Sequence, residues 1–437
     1  MLELFLSLGY AAFFIFLIGK MKIFKSDGIP VHTYKLLFVV KLVAGFFLYL
    51  IYTRYYPDRS TADIFRYFDD SDIMYQSLFS KPYDFFRMFT GYHAADPNLQ
   101  PYYDAMRNWY NTDMIFNDTR TMIRFSALMK VFSMNLYYPH AVLMCFLSML
   151  GLTGIYRLFV SALPGRELLL IVAVYLMPST LLWTSGLIKE AFLMFALGML
   201  FYFIQQFVDE KKGGTLLYGR IILFLYCLFL IKPYIIFMLI PGVTAWLLFK
   251  YFPKCRLAVI MLTYVAYAAV MIFSAEVLLG KKIPDLLVAK QNEFYFVAER
   301  DHANSVIDIP RLDGTYINLI KNAPQAIVNV LFRPSIFEIK NPMMLLAAAE
   351  NSFLIVFIVI AFYTALKNKV KAFPDLFFIA LFFSSAIFVL TGLVTPILGA
   401  VVRYKVPAYP FFLFVVIAII PDKLTSVKLK WFLNTNR

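Results

Sequence analysis

An all-α, polytopic transmembrane helical bundle is the fold class this sequence predicts, and three observations predict it. Of 437 residues, 61% are hydrophobic and only 16% are charged. Apolar runs long enough to cross a hydrocarbon core recur from one end of the chain to the other. Between them, Lys and Arg crowd into short connecting loops, as topology determinants do. Lipid offers no partner to backbone N–H and C=O groups, so spans of this kind satisfy them within helices.

The first run, Leu4 to Gly19, follows Glu3 and ends at Lys20, Lys22 and Lys25. It reads as a retained span with its N-terminus outside, because a signal peptide would carry positive charge where Glu3 stands. Tyr34 to Tyr52 returns to the outside. Residues 54–136 then form a first extracytoplasmic loop with two amphipathic helices, one acidic and one, Thr119 to Met134, lying along the membrane surface. Tyr138 to Phe159 crosses inward and Leu168 to Leu182 crosses out. Ala191 to Phe207 leads in to Lys211 and Lys212, and Ile221 to Ile231 leads out. Ile235 to Phe249 returns to Lys250, and Leu257 to Leu279 crosses out to a second extracytoplasmic segment, 280–342. Met343 to Leu366, Leu376 to Leu393 and Val406 to Ile420 complete about eleven spans, ending in a cytoplasmic basic tail. The whole of 1–437 reads as one integral domain of the cytoplasmic (inner) cell membrane, without internal repeats.

A net charge of +14 suggests nucleic acid as a partner, but the loop placement of the cations excludes that reading. Cys145, Cys227 and Cys255 show no paired spacing, so they give neither a disulfide framework nor a zinc site. His32, His93, His140 and His302 are dispersed and read as loop or interface residues. No compact metal-ligand set is evident, which leaves a divalent cation open and names no other cofactor.

Chemistry-bearing residues sort to the outer face. In the stretch Ser60 to Asp72, Asp63, Arg66, Tyr67 and Asp70 fall at i, i+3, i+4 and i+7 and share one helix face, with Asp69 beside it. That face offers a general base and a cation; the structural alternative is a capping box of Ser60 with Asp63. Lys189 and Glu190 open a span, where an ionised pair is costly and usually functional, although a lysine there can also snorkel to headgroups. Lys232-Pro233-Tyr234 breaks an apolar run, lining a cavity or making a tight turn. Glu350 lies inside the span that opens at Met343 and must face protein or water. Arg333 with Glu338, and Arg403 with Tyr404, stand at outer span ends. An arginine there suits a phosphate group, or anchors to lipid phosphate. No Gly-rich phosphate loop, HExxH or GxSxG is present, so nucleotide, metalloprotease and serine-hydrolase readings have no support.

Three of these features resemble the multi-pass glycosyltransferases of the GT-C superfamily and the related bacterial polysaccharide polymerases. The acidic helix Asp63 to Asp72 is comparable to the GT-C catalytic-Asp loop, here after the second span instead of the first. Arg403-Tyr404-Lys405-Val406-Pro407-Ala408-Tyr409-Pro410 is similar to the Arg-Tyr-Arg-Leu-Pro…Pro of a final span. Lys232-Pro233-Tyr234 resembles a mid-chain Arg-Pro-Tyr turn, and Lys189 is the counterpart of the polymerases' mid-chain basic residue. The resemblance implies transfer of a sugar or glycan from a polyprenyl-(pyro)phosphate donor to a hydroxyl of a glycan, lipid or protein acceptor at the outer face of the bilayer. On that reading Asp63 or Asp70 is expected to take the acceptor proton, and Arg403, with Lys189, Lys232 or Arg333, to stabilise the leaving phosphate. Arg66, Tyr67, Asp69, Glu190, Glu338, Glu350 and Tyr404 are the expected supporting residues. The alternative from another class is a transporter or flippase of lipid-linked glycans, which needs ionisable groups at mid-membrane, where Glu350 is the candidate.

Overall fold

The computed structural model describes residues 1–25, 28–55, 59, 62–109, 117–210, 214–249, 251–300, 302–368 and 373–421. Ser60 of the expected capping box, Lys211, Lys212, Lys250 and the basic tail lie outside the described residues. Among the described residues there is no strand, only an isolated antiparallel bridge between Val306 and Ile397.

In chain order, α1 is Leu2–Lys20, α2 is Val31–Leu50 and α3 is Asp63–Ser80. Short helices α4 (Pro82–Thr90) and α5 (Gln100–Ala105) precede α6 (Asp118–Ser133) and α7 (Tyr137–Ala162). Then come α8 (Glu167–Ile171), α9 (Pro178–Trp183), α10 (Lys189–Glu210), α11 (Thr215–Ile231) and α12 (Pro233–Phe249). The remainder is α13 (Arg256–Leu279), α14 (Ile283–Arg300), α15 (Tyr316–Phe332), α16 (Pro342–Lys367), α17 (Asp375–Val394), α18 (Leu398–Tyr404) and α19 (Tyr409–Ile419).

Their ends follow local chemistry. Asn117, Thr315 and Asn341 cap α6, α15 and α16 through side-chain oxygens that accept from first-turn N–H groups. Proline opens α4, α12 and α16, where its missing N–H costs nothing. The break foreseen at Lys232 is there: α11 stops at Ile231, Lys232 is non-helical, and Pro233 starts α12.

Among the described residues seven helices are long and apolar enough to cross a membrane, and α18 with α19, bent by 68°, makes up to eight. The chain is therefore a multi-pass helical membrane protein. The other three expected spans correspond to shorter apolar helices: Glu167–Leu176, Thr215–Ile231 and Pro233–Phe249. Even the 17-residue ones reach only about 25 Å at 1.5 Å per residue, short of a ~30 Å core.

The described chain divides into two compact units, one comprising Met1–Leu158 and Leu181–Pro233, the other Phe159–Thr180 and 234–421. In the first unit, α7 is the most enclosed span, with 78% of its apolar window buried, against 17% for α1. Phe5, Leu8, Phe13 and Phe16 of α1 are accordingly exposed, as a face meeting lipid would be. Glycines let α7 and α10 touch backbone to backbone: a Cβ on Gly151 would lie 2.0 Å from the Met194 carbonyl oxygen, and one on Gly198 1.8 Å from that of Gly151. Phe14 stacks on Phe146 at 4.2 Å and joins α1 to α7.

In the second unit α17 is central, packing against α14, α15 and α19. Gly392 permits its approach to α15, since a Cβ there would come within 2.3 Å of the Ala326 oxygen. Phe411 of α19 meets Phe159 and Phe383 edge-on. Only 6% of the α13 window is buried, so that helix presents apolar residues outward over most of its length.

Candidate functional site

The first unit gathers six charged side chains from four places in the chain. Asp63 sits in the first turn of α3, where a carboxylate suits the helix dipole. Ala62, its N-cap, supplies no side-chain bond. One turn on, Arg66 pairs with Asp63 at 3.5 Å, and both side chains keep part of their surface in solvent (29% and 21%). Tyr67, on the same face, turns inward, and its ring lies 5.5 Å from Lys189 Nζ.

Adjacent residues on a helix point in different directions, and Lys189 and Glu190 each find their own partner. Lys189 Nζ lies 2.7 Å from Asp118 Oδ2 and donates to Thr119 Oγ1 at 3.1 Å. Asp63 and Lys232 are within its electrostatic reach. Glu190, fully buried, is 3.5 Å from the buried ammonium of Lys232 at the α11–α12 break. Three carboxylates and three cations thus lie near one another and balance in charge.

The other acids of α3 have different duties. Asp70 is buried, and both its oxygens are taken by backbone N–H groups, Arg107 at 3.1 Å and Asn108 at 2.8 Å. It holds the turn after α5. Asp69 faces away and accepts two hydrogen bonds from Arg59, at 2.8 and 2.6 Å. That bond, outweighing partial burial, pushes the Arg59 guanidinium above its ordinary range. The expectation for 119–134 was a helix along the membrane surface. Within the unit, α6 buries Thr119, Met122, Ser126 and Lys130, a stripe at helical spacing, and packs on α3.

The same unit also holds a group of polar contacts around Lys130 and His140. Lys130 Nζ contacts Asp72 at 3.3 Å and Asn135 at 2.5 Å and lies over the Phe68 ring. Burial, only partly offset by Asp72, lowers its amine from 10.5 to about 8. His140 is a buried helical residue, neither loop nor interface: Ser126 reaches one ring nitrogen at 3.4 Å and Ser133 the other at 3.1 Å.

The second unit holds the remaining candidates. Arg333 Nε donates to Glu338 Oε1 at 2.7 Å, and Glu338 closes a capping box with Ser335. Burial pushes the Glu338 carboxyl up, but bonds from Arg333 and Ser335 outweigh it and leave it below the usual range. Glu350 of α16 is buried as expected; it caps the Ser179 N–H at the start of α9 and lies 3.8 Å from Lys405. Lys405, fully buried at the α18–α19 bend, donates to Asn351 at 2.9 Å. Arg403 and Tyr404 end α18, and Tyr404 meets Phe294 at 5.8 Å.

Sequence reasoning missed Asp118, Lys130 and Lys405 as partners, and it missed Lys41. Lys41 is a lysine in the middle of α2, and it is fully buried. Its signal was legible: a cation near the middle of an apolar run, a placement that costs about 2.5–3.5 kcal/mol at a span's centre. Among the described residues no group of three or more His, Cys, Asp or Glu is arranged to hold a metal ion. No protein-family model, curated protein or solved structure matches this chain.

Proposed function

We propose that the chain is a membrane glycosyltransferase that moves a sugar or glycan from a polyprenyl-(pyro)phosphate donor to an acceptor hydroxyl at the extracytoplasmic face. The observation that carries this reading is the cluster of the first unit. There, a partly exposed carboxylate, Asp63, stands beside Arg66, with Lys189 and Lys232 within electrostatic reach of one another. Asp63 takes the proton of the acceptor hydroxyl, whose oxygen forms a bond to the anomeric carbon. The bond from that carbon to the phosphate oxygen breaks, and the phosphate leaves with the electron pair. Lys189 and Lys232 then face the developing negative charge. Arg66 keeps Asp63 ionised, since a neighbouring cation favours the charged carboxylate. Asp70, with both oxygens committed to backbone, is the weaker candidate for the base. In this reading the membrane is the cytoplasmic one, with the N-terminus outside and the C-terminus inside.

One observation favours a second reading, transport of a lipid-linked glycan. Glu350 and Lys405 are buried where two apolar helical segments break, at Met177–Pro178 and at the α18–α19 bend. Broken helices with buried ionisable groups are what carriers use at their binding sites. Incubating the purified protein with polyprenyl-linked sugar donors separates the two. Release of isoprenoid phosphate with sugar on the acceptor supports the transferase. Intact donor that changes leaflet in proteoliposomes supports the carrier.

A further inference from the structure

We propose that Lys41 is a positioning residue: it fixes the non-helical elbow 184–188 and, through it, the directions in which Lys189 and Glu190 point. The elbow's geometry stands by itself; its bearing on catalysis rests on the transferase reading above.

Between Trp183, the end of α9, and Lys189, the start of α10, residues Thr184 to Ile188 are non-helical and wholly buried. Backbone without a helix's own hydrogen bonds must find partners in the surrounding protein when neither water nor lipid supplies them. It does so here. Thr184 O accepts from Ser148 Oγ of α7 at 2.7 Å, and Ile188 N donates to Gly186 O at 3.0 Å. Lys41 Nζ donates to Thr184 Oγ1 at 2.5 Å and to Ser185 Oγ at 3.2 Å.

The rest of the same α2 face is shaped to the elbow. A Cβ on Gly45 would come within 2.5 Å of the Ser185 carbonyl oxygen, and one on Gly186 within 2.6 Å of Leu48. Lys41, Gly45 and Leu48 stand at i, i+4 and i+7, so they form one stripe on α2. An apolar side chain would keep α2 in the bilayer at less cost. What a lysine adds is the two donated bonds. Adjacent residues on a helix differ by about 100° in direction, so the path of the elbow sets both aims: Lys189 toward Asp118 and Glu190 toward Lys232.

The test uses the full chain in lipid nanodiscs, acetylated with acetic anhydride across a pH series, with modification at Lys189 and Lys232 read by mass spectrometry. In Lys41→Met, and in Thr184→Val, the rate or the pH midpoint of labelling at Lys189 should change by about threefold or more. Under the transferase reading, kcat should fall about tenfold or more with little change in KM, as displacement of a catalytic group does. An unchanged labelling profile in a folded Lys41→Met protein overturns the proposal. If that variant does not fold, an unchanged profile in Thr184→Val overturns it instead. A wild-type protein without transferase activity removes the catalytic reading and leaves the labelling result to decide the elbow.

Discussion

Lys189 Nζ lies 2.7 Å from Asp118 Oδ2, which ties the first residue of α10 to the first residue of α6. Both helix starts carry a charge, and each is the other's partner. The pair also brings Lys189 beside Tyr67 and within reach of Asp63.

In the proposed transferase, replacing Lys189 with Met removes one of the two lysines assigned to the departing phosphate. Turnover of a polyprenyl-linked donor should fall about a hundredfold or more. Asp118→Asn keeps the lysine but frees it from its carboxylate, so its loss should be smaller. Equal turnover in wild type and Lys189→Met would argue that the ion pair only staples two helices.

Asp63→Asn and Asp70→Asn should separate chemistry from stability. Asp63 is partly exposed and pairs with Arg66 of its own helix, so its amide should abolish transfer while lowering the unfolding midpoint less than the Asp70 variant does. Asp70 accepts two backbone N–H bonds, and hydrogen bonds to a charged group contribute about 1.5–3 kcal/mol. Its amide should lower the unfolding midpoint first. The reverse assignment of effects would move the base from Asp63 to Asp70.

Lys232→Met removes the ammonium that lies 3.5 Å from the fully buried carboxylate of Glu190. Removing one member of a buried pair costs about 3–5 kcal/mol, so the folded yield should drop sharply. Adding Glu190→Gln should recover part of that loss, because the buried carboxylate charge that faced Lys232 is then gone as well. A double-mutant cycle on thermal unfolding measures the coupling.

Lys130 has a pH signature. Its folded-state amine, at about 8, lies below the ordinary 10.5, so between those values the unfolded chain binds more protons. Stability from this residue therefore rises with pH through that window and is flat below it. The difference in unfolding midpoint between wild type and Lys130→Met, followed from pH 7 to 10, checks the sign.

Gly151→Ala places a methyl group where the Met194 carbonyl oxygen of α10 stands. Overpacking of this kind costs about 1–3 kcal/mol, and the shift should part α7 from α10 near the start of the Lys189 helix. Crosslinking between cysteines placed on α7 and α10 should fall in the variant.

The sequence made the long apolar helices and the membrane character legible, whereas three of the expected spans are shorter helices. Apolar runs and basic loops are local properties, and Pro233 cannot continue the helix that Ile231 ends. It also determined that Asp63, Arg66, Tyr67 and Asp70 share a helical face, because that follows from spacing alone. Which groups meet each of them depends on long-range packing. Spacing cannot say which other segment covers a face, and so it could not tell that the turn at Arg107–Asn108 occupies Asp70 while Asp63 keeps some solvent. The partners of Lys189, Glu190 and Lys41 come from residues far away in the chain. Their charges are tolerated only because folding brings those groups within hydrogen-bonding or ion-pairing distance.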